Sequence, residues 1–253
     1  MMRNCPTGSF FLALLWGLGV SMAAHAETTP TPAVEAAAAE SRKLADLVDA
    51  YFEEQLKLNP LLATSIGDPR YNDRFEVTIS TEWRARDEKL ERDYLERIKS
   101  IEPTRLSGQD ALTYEIFKSA RERKIEGFRF PGHLIPVNQF YSVPNSFAQL
   151  GSGNGLHPFK TVKDYEDFLK RVNGFVAWTD QAIVNMREGI AKGYTLPKVL
   201  VERTLPQLAA QLVEKPEDSL YWGPIANLSD SFTAEEQARL TAANRAAITN
   251  QVI

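Results

Sequence analysis

Apolar positions along this chain recur mostly at helical spacing. Leu44, Leu47, Val48, Tyr51, Phe52 and Leu56 make one stripe and predict a helix over about 35–58, closed by Asn59-Pro60. A turn-rich passage follows (LLATSIGDPRYNDRF), then 75–79, where apolar and polar residues alternate as in a short extended segment. Ser80 suits an N-cap for a helix to about Ile101, with Trp83, Leu90, Tyr94, Ile98 and Ile101 inward. Its other faces carry Glu82–Arg86, Glu88–Arg92 and Asp93–Arg97 four residues apart, acid before base, which reads as a solvated face rather than a binding stripe. Glu102-Pro103 breaks that helix. Ser107 can cap a third, to about Lys124, with Leu112, Ile116 and Phe117 inward.

Residues 125–160 lack this periodicity and are rich in Gly and Pro, so they read as a long irregular insert of the kind that tends to be functional. Thr161 and Asp164 then form a capping arrangement. The helix they open shows a wide apolar face of Tyr165, Phe168, Leu169, Val172, Phe175, Val176, Ile183 and Ile190, and Gly193 can end it. Pro197 opens a further helix over 198–213, which Pro206 should kink. Residues 214–230 read as loop. A capping box, Thr233 with Glu236, starts a last helix running to Ile253. The expected fold is mainly α: a helical bundle-like array of five or six helices with a long irregular insert.

The N-terminus departs from this pattern. Arg3, an apolar run over 10–22 and Ala24-His25-Ala26 make a secretory signal arrangement, with cleavage expected after Ala26. The run is too short to span a bilayer comfortably, so no stable membrane anchor is expected after cleavage. Residues 27–34 (ETTPTPAV) read as a linker, and 35–253 as the body of the fold.

Export changes the composition. The whole chain has 253 residues, 43% of them hydrophobic, with 29 Lys+Arg against 33 Asp+Glu. These figures exclude collagen, a disulfide scaffold, a polytopic membrane protein and a strongly basic nucleic-acid binder. Cleavage leaves 253 − 26 = 227 residues, removes Arg3 to give 28 − 33 = −5, and takes away Cys5 and His25. A cysteine-free, mildly acidic exported chain points to a bacterial periplasmic or secreted protein held by its core alone.

Few constellations carry chemistry. Catalytic zinc sites commonly place two His on one helix face, as in H-E-x-x-H. The two mature histidines, His133 and His157, do not fit, so no metal is expected in this chain. Ser65 sits in Ala63-Thr-Ser-Ile-Gly67, which imitates a nucleophile elbow but lacks the strand before it and reads as a turn after a helix. Gly151-Ser-Gly-Asn-Gly155 lacks the Lys of a P-loop and reads as a flexible loop or a flap over a cleft. Trp178, Trp222 and Tyr221 read as core. Gln139, Tyr141 and His157, all in the irregular insert, are the candidate substrate-binding residues; no catalytic residue is assigned.

Four stretches together carry a family resemblance. They are Asp49 to Phe75 (DAYFEEQLKLNPLLATSIGDPRYNDRF), Pro136-Val-Asn-Gln-Phe140, Thr161 to Leu169 (TVKDYEDFL), and Glu217-Asp-Ser-Leu-Tyr221 with the helix to Ile253. Their order and spacing resemble the exported bacterial domain-of-unknown-function family 885, regarded as zinc-metallopeptidase-like. The resemblance implies a mainly helical protein longer than this chain. It also implies a later H-E-x-x-H whose histidines bind zinc and whose Glu acts as general base on a metal-bound water. This chain contains no H-E-x-x-H, so no catalytic residue carries over. Val252 and Ile253 sit as if inside an apolar stripe, so the chain reads as the N-terminal portion of a longer protein, inactive alone. It would form one wall of a cleft for a peptide substrate. The rival reading is a self-sufficient secreted helical binding or interaction protein.

Overall fold

A computed structural model describes residues 31–253. The expected signal peptide and the first half of the expected linker, 27–30, lie outside the described residues, while the rest of that linker is helical from Pro32. Among the described residues nine α-helices are found: α1 (Pro32–Leu58), α2 (Pro60–Ser65), α3 (Thr81–Ile98), α4 (Gly108–Gly127), α5 (Val143–Leu150), α6 (Val162–Lys192), α7 (Lys198–Ala209), α8 (Gly223–Ala226) and α9 (Ala234–Ala247). Short 3-10 turns join several of them, and a π-helical turn, Ile248–Val252, follows α9. With no strand among the described residues, the fold is mainly α. No helix of the described residues is long and apolar enough to cross a membrane.

Helix ends follow local chemistry. Ser80 Oγ accepts from the Trp83 amide at 3.1 Å. Thr161 and Asp164 close a full capping box on α6, as do Thr233 and Glu236 on α9. Each satisfies amide donors that a helix start leaves orphaned, a contribution of about 1 kcal/mol per cap. Gly193 ends α6 in the left-handed region at φ 78°, where a side chain would be strained. α1 begins at Pro32 rather than near residue 35, because proline's fixed φ suits a first helical turn.

Among the described residues three apolar centres hold the helices, the smallest joining α6, α8 and α9 through Tyr165, Ile225 and Leu240. The first joins α1, α3 and α4 through Leu44, Leu47, Leu90, Tyr94, Ile98, Tyr114 and Phe117. The second surrounds α6, where Phe147 of α5 stacks on Phe175 with centroids 4.2 Å apart and on Phe168 at 5.5 Å. Tyr221, Ala247 and Ile248 complete it.

The structure corrects several expectations. Residues 75–79 form no extended strand; turns bond Thr78 to Glu76 and Ser80 to Val77, while Phe75 sets its edge against Phe147. On α4, Leu112 and Ile116 are 52% and 56% exposed. The inward stripe is Tyr114, Phe117, Arg121 and Lys124, because the facing side of α3 carries buried Asp87 and Glu91. On α6, Ile183 and Ile190 are exposed. Trp178, Ala182, Asn185 and Gly189 face inward there, and Asn185 Nδ2 donates to the Ile79 and His133 carbonyls at 2.9 and 3.1 Å. Of the three expected surface pairs on α3, Glu88–Arg92 forms at 2.6 Å, whereas Arg86 reaches Glu76 at 3.0 Å and Arg97 lies over the Tyr94 ring. The irregular insert contains α5, and 214–230 contains short helical turns and α8.

Candidate functional site

α5 is the element from which the site is built. Ser142 caps it, its Oγ accepting from the Asn145 amide at 3.4 Å, and Pro144 fits its first turn. Phe147, Ala148 and Leu150 turn inward onto α6. The rest of the helix borders two adjoining depressions. One is an apolar cavity of about 270 Å³ between α5, the α1–α2 junction and residues 75–78, walled by Pro60, Leu61, Phe75, Val143, Phe147 and Trp178. Trp178 is 2% exposed, and its buried indole N–H has no hydrogen-bond partner. The other is an open groove of about 570 Å³ along Asn145, Gln149, Asn154 and Gly155. Ser146, Leu150 and Leu156 border both.

The rim between them is the loop 151–157. It is packed, not free-standing. A Cβ on Gly155 would sit 2.2 Å from the Gln149 carbonyl oxygen, and one on Gly151 2.2 Å from the Phe168 ring. These glycines serve close approach rather than a phosphate.

His157 pins the end of the loop. It is buried, with Nδ1 2.8 Å from Arg171 Nη1 and Nε2 2.8 Å from the Asp164 carbonyl oxygen. A guanidinium can only donate, so Nδ1 accepts and Nε2–H donates to the carbonyl. Burial, reinforced by the Arg171 charge, pushes the imidazole down to about 4. Arg171 is fully buried and fans out to the Arg74 carbonyl at 3.0 Å, the Tyr71 carbonyl at 3.3 Å and the Thr64 hydroxyl. Burial lowers it to about 10.

Gln139 and Tyr141 lie elsewhere. Asn138 Oδ1 accepts from the Phe140 and Tyr141 amides at 2.8 and 2.9 Å, making a tight turn that leaves Phe140 82% and Tyr141 79% exposed. Gln207 of α7 donates to the Gln139 carbonyl at 3.4 Å. The structure does not bring the three residues together: the Gln139 carbonyl meets α7, Tyr141 stands out into solvent, His157 lies beneath the loop against α6, and none lines the cavity. Sequence reasoning missed Ser146 and Leu156, and Trp178, read as core, is buried and also walls the cavity. The signal for Leu156 was a lone large apolar residue after three glycines.

The zinc that the resemblance implies belongs to a later H-E-x-x-H and not to His133 or His157, and of these two only the buried Nδ1 of His133 lacks a partner. His157 has both nitrogens engaged, and His133 Nε2 faces Arg84 Nη1 at 3.3 Å. Burial, with Arg84 nearby, also lowers the His133 imidazole. Among the described residues no three His, Cys, Asp or Glu side chains gather as a metal site.

Comparison with curated proteins finds no match. The model of one family, described as "Bacterial protein of unknown function (DUF885)", matches residues 60–253, which takes in α2, α5, the loop and the whole of α6. That match spans well over half of the chain, which therefore belongs to the bacterial family of unknown function DUF885.

Proposed function

We propose that this chain is the substrate-engaging N-terminal part of an exported, zinc-metallopeptidase-like bacterial protein, and that it binds peptide rather than cleaving it. The observation that carries this reading is the apolar cavity opening beside a carboxamide-lined groove on α5. Such a concave apolar site with a few placed polar groups is the usual form of a binding site. Family membership and the signal arrangement at 1–26 support the wider setting.

The lining supplies walls and hydrogen-bonding groups, not acid–base chemistry. Its carboxylate, Glu76, is paired with Arg86 at 3.0 Å. The sequence has no H-E-x-x-H, His157 has both nitrogens engaged, and neither histidine lines the cavity, so no hydrolytic step is assigned to these residues.

The test is direct. The purified chain is incubated with a mixed peptide library, with added zinc and with a chelator, and followed by mass spectrometry and calorimetry. Peptide binding without hydrolysis is expected. Cleavage that the chelator abolishes would sink the reading.

A further inference from the structure

We propose that the cavity and the groove act as one two-part site for an extended, uncharged peptide segment bearing one bulky apolar side chain. The side chain enters the cavity and the neighbouring backbone lies along the groove. This rests on the binding role proposed above and names what is bound.

Three observations meet here. First, the two depressions adjoin, since Ser146, Leu150 and Leu156 border both. An occupant of one passes into the other over Leu156. That side chain is 63% exposed although apolar, and the crowded backbone at Gly155 holds it at the mouth. Covering it removes apolar surface from water at no ordering cost to the loop.

Second, the cavity suits an apolar group of side-chain size. Its walls are proline, phenylalanine, valine and tryptophan, and about 270 Å³ falls just below the range that takes a whole drug-sized ligand. An ammonium or carboxylate entering it would lose its hydration with no counter-charge, because Glu76 is already paired with Arg86.

Third, the groove is lined by neutral amides and a hydroxyl: Asn145, Gln149, Asn154 and Ser146. A carboxamide offers both a donor and an acceptor, the complement of a peptide's C=O and N–H. The lining is also braced. Asn145 donates to Gln207 at 2.9 Å and accepts from Gln211, so its amide braces the wall and the carboxamides of Gln149 and Asn154 are the ones that meet the peptide. Charged chains have a different surface available: the depression bordered by Glu54, Lys57, Arg74 and Arg86.

The test uses the purified chain and end-blocked neutral pentapeptides with Phe, Leu, Ala, Glu or Lys at the centre. Binding is followed by calorimetry and by Trp fluorescence. Phe and Leu peptides should bind at least tenfold tighter than Ala, Glu or Lys peptides. Leu156→Ala and Thr78→Trp both alter exposed side chains and should keep the wild-type melting curve. Each should reduce the Phe-over-Ala ratio to below threefold. Gln149→Ala should weaken all peptides alike and leave that ratio unchanged. Peptide binding with no apolar preference, or with a preference that neither Leu156→Ala nor Thr78→Trp changes, overturns the two-part site and leaves the binding role standing. Silence towards every peptide overturns both, as does saturable binding of decanoate or a neutral oligosaccharide in its place.

Discussion

Arg171 carries its charge at a place water does not reach, and its hydrogen bonds run to carbonyls, a hydroxyl and an imidazole rather than to a carboxylate. That arrangement makes His157 a determinant of acid stability. A second proton would go to Nδ1, the atom that accepts from the guanidinium. The unfolded chain takes up that proton near 6.5, the folded chain only near 4. Between those values the unfolded state binds more protons, so stability is complete above about pH 6.5 and is lost as pH falls towards 4. The loss should reach about 2 kcal/mol, read from urea titrations at pH 7 and pH 4.5. In His157→Gln the same interval should show a much shallower slope; an unchanged slope would place the acid sensitivity elsewhere.

The same division between local and distant causes runs through the helices. Ser80, Thr161 with Asp164, Thr233 with Glu236, and Gly193 were legible because a cap depends on three or four consecutive residues. The inward face of α4 was not. Its choice depends on Asp87 and Glu91 in a different helix, which draw Arg121 and Lys124 inside and leave Leu112 and Ile116 in solvent. Tyr51 also donates to Glu91, at 2.8 Å, and Arg121 lies over the Tyr51 ring. Removing one partner of such a buried pair strands the other, so Glu91→Leu alone should cost about 3–5 kcal/mol. The double change Glu91→Leu with Arg121→Met should cost much less, because both charges leave together. Chemical denaturation of the four proteins in that cycle decides it; an additive double mutant would mean the pair is not coupled. α5 escaped notice for another reason. Eight residues give little periodicity, and Gly and Pro on both sides hide it. The cavity followed it out of sight, since its walls come from four separated stretches.

For the molecule as a whole, the family and the helical class were legible, while the site was only partly so. The proposed cavity takes only part of its lining from the irregular insert, and Gln139 and Tyr141 are not among its walls. The proposed export gives a test at this scale. Protein recovered from the periplasm of an expressing bacterium should begin at Glu27 and carry the mass of a 227-residue chain to Ile253, 26 fewer than the full 253. Intact-mass measurement checks this, and a retained N-terminal segment would contradict it.

The packed glycines of the loop 151–157 also have a bearing on time. A mouth whose spacing is fixed by backbone pressed against backbone has no lid to open before a ligand enters. Stopped-flow fluorescence with a Phe-centred peptide should therefore show a single phase whose observed rate rises in a straight line with peptide concentration. A rate that levels off at high concentration would reveal a slow rearrangement before or after encounter. The residence time of the peptide would then be set by how well it fills the cavity and the groove, with no separate opening step to wait for.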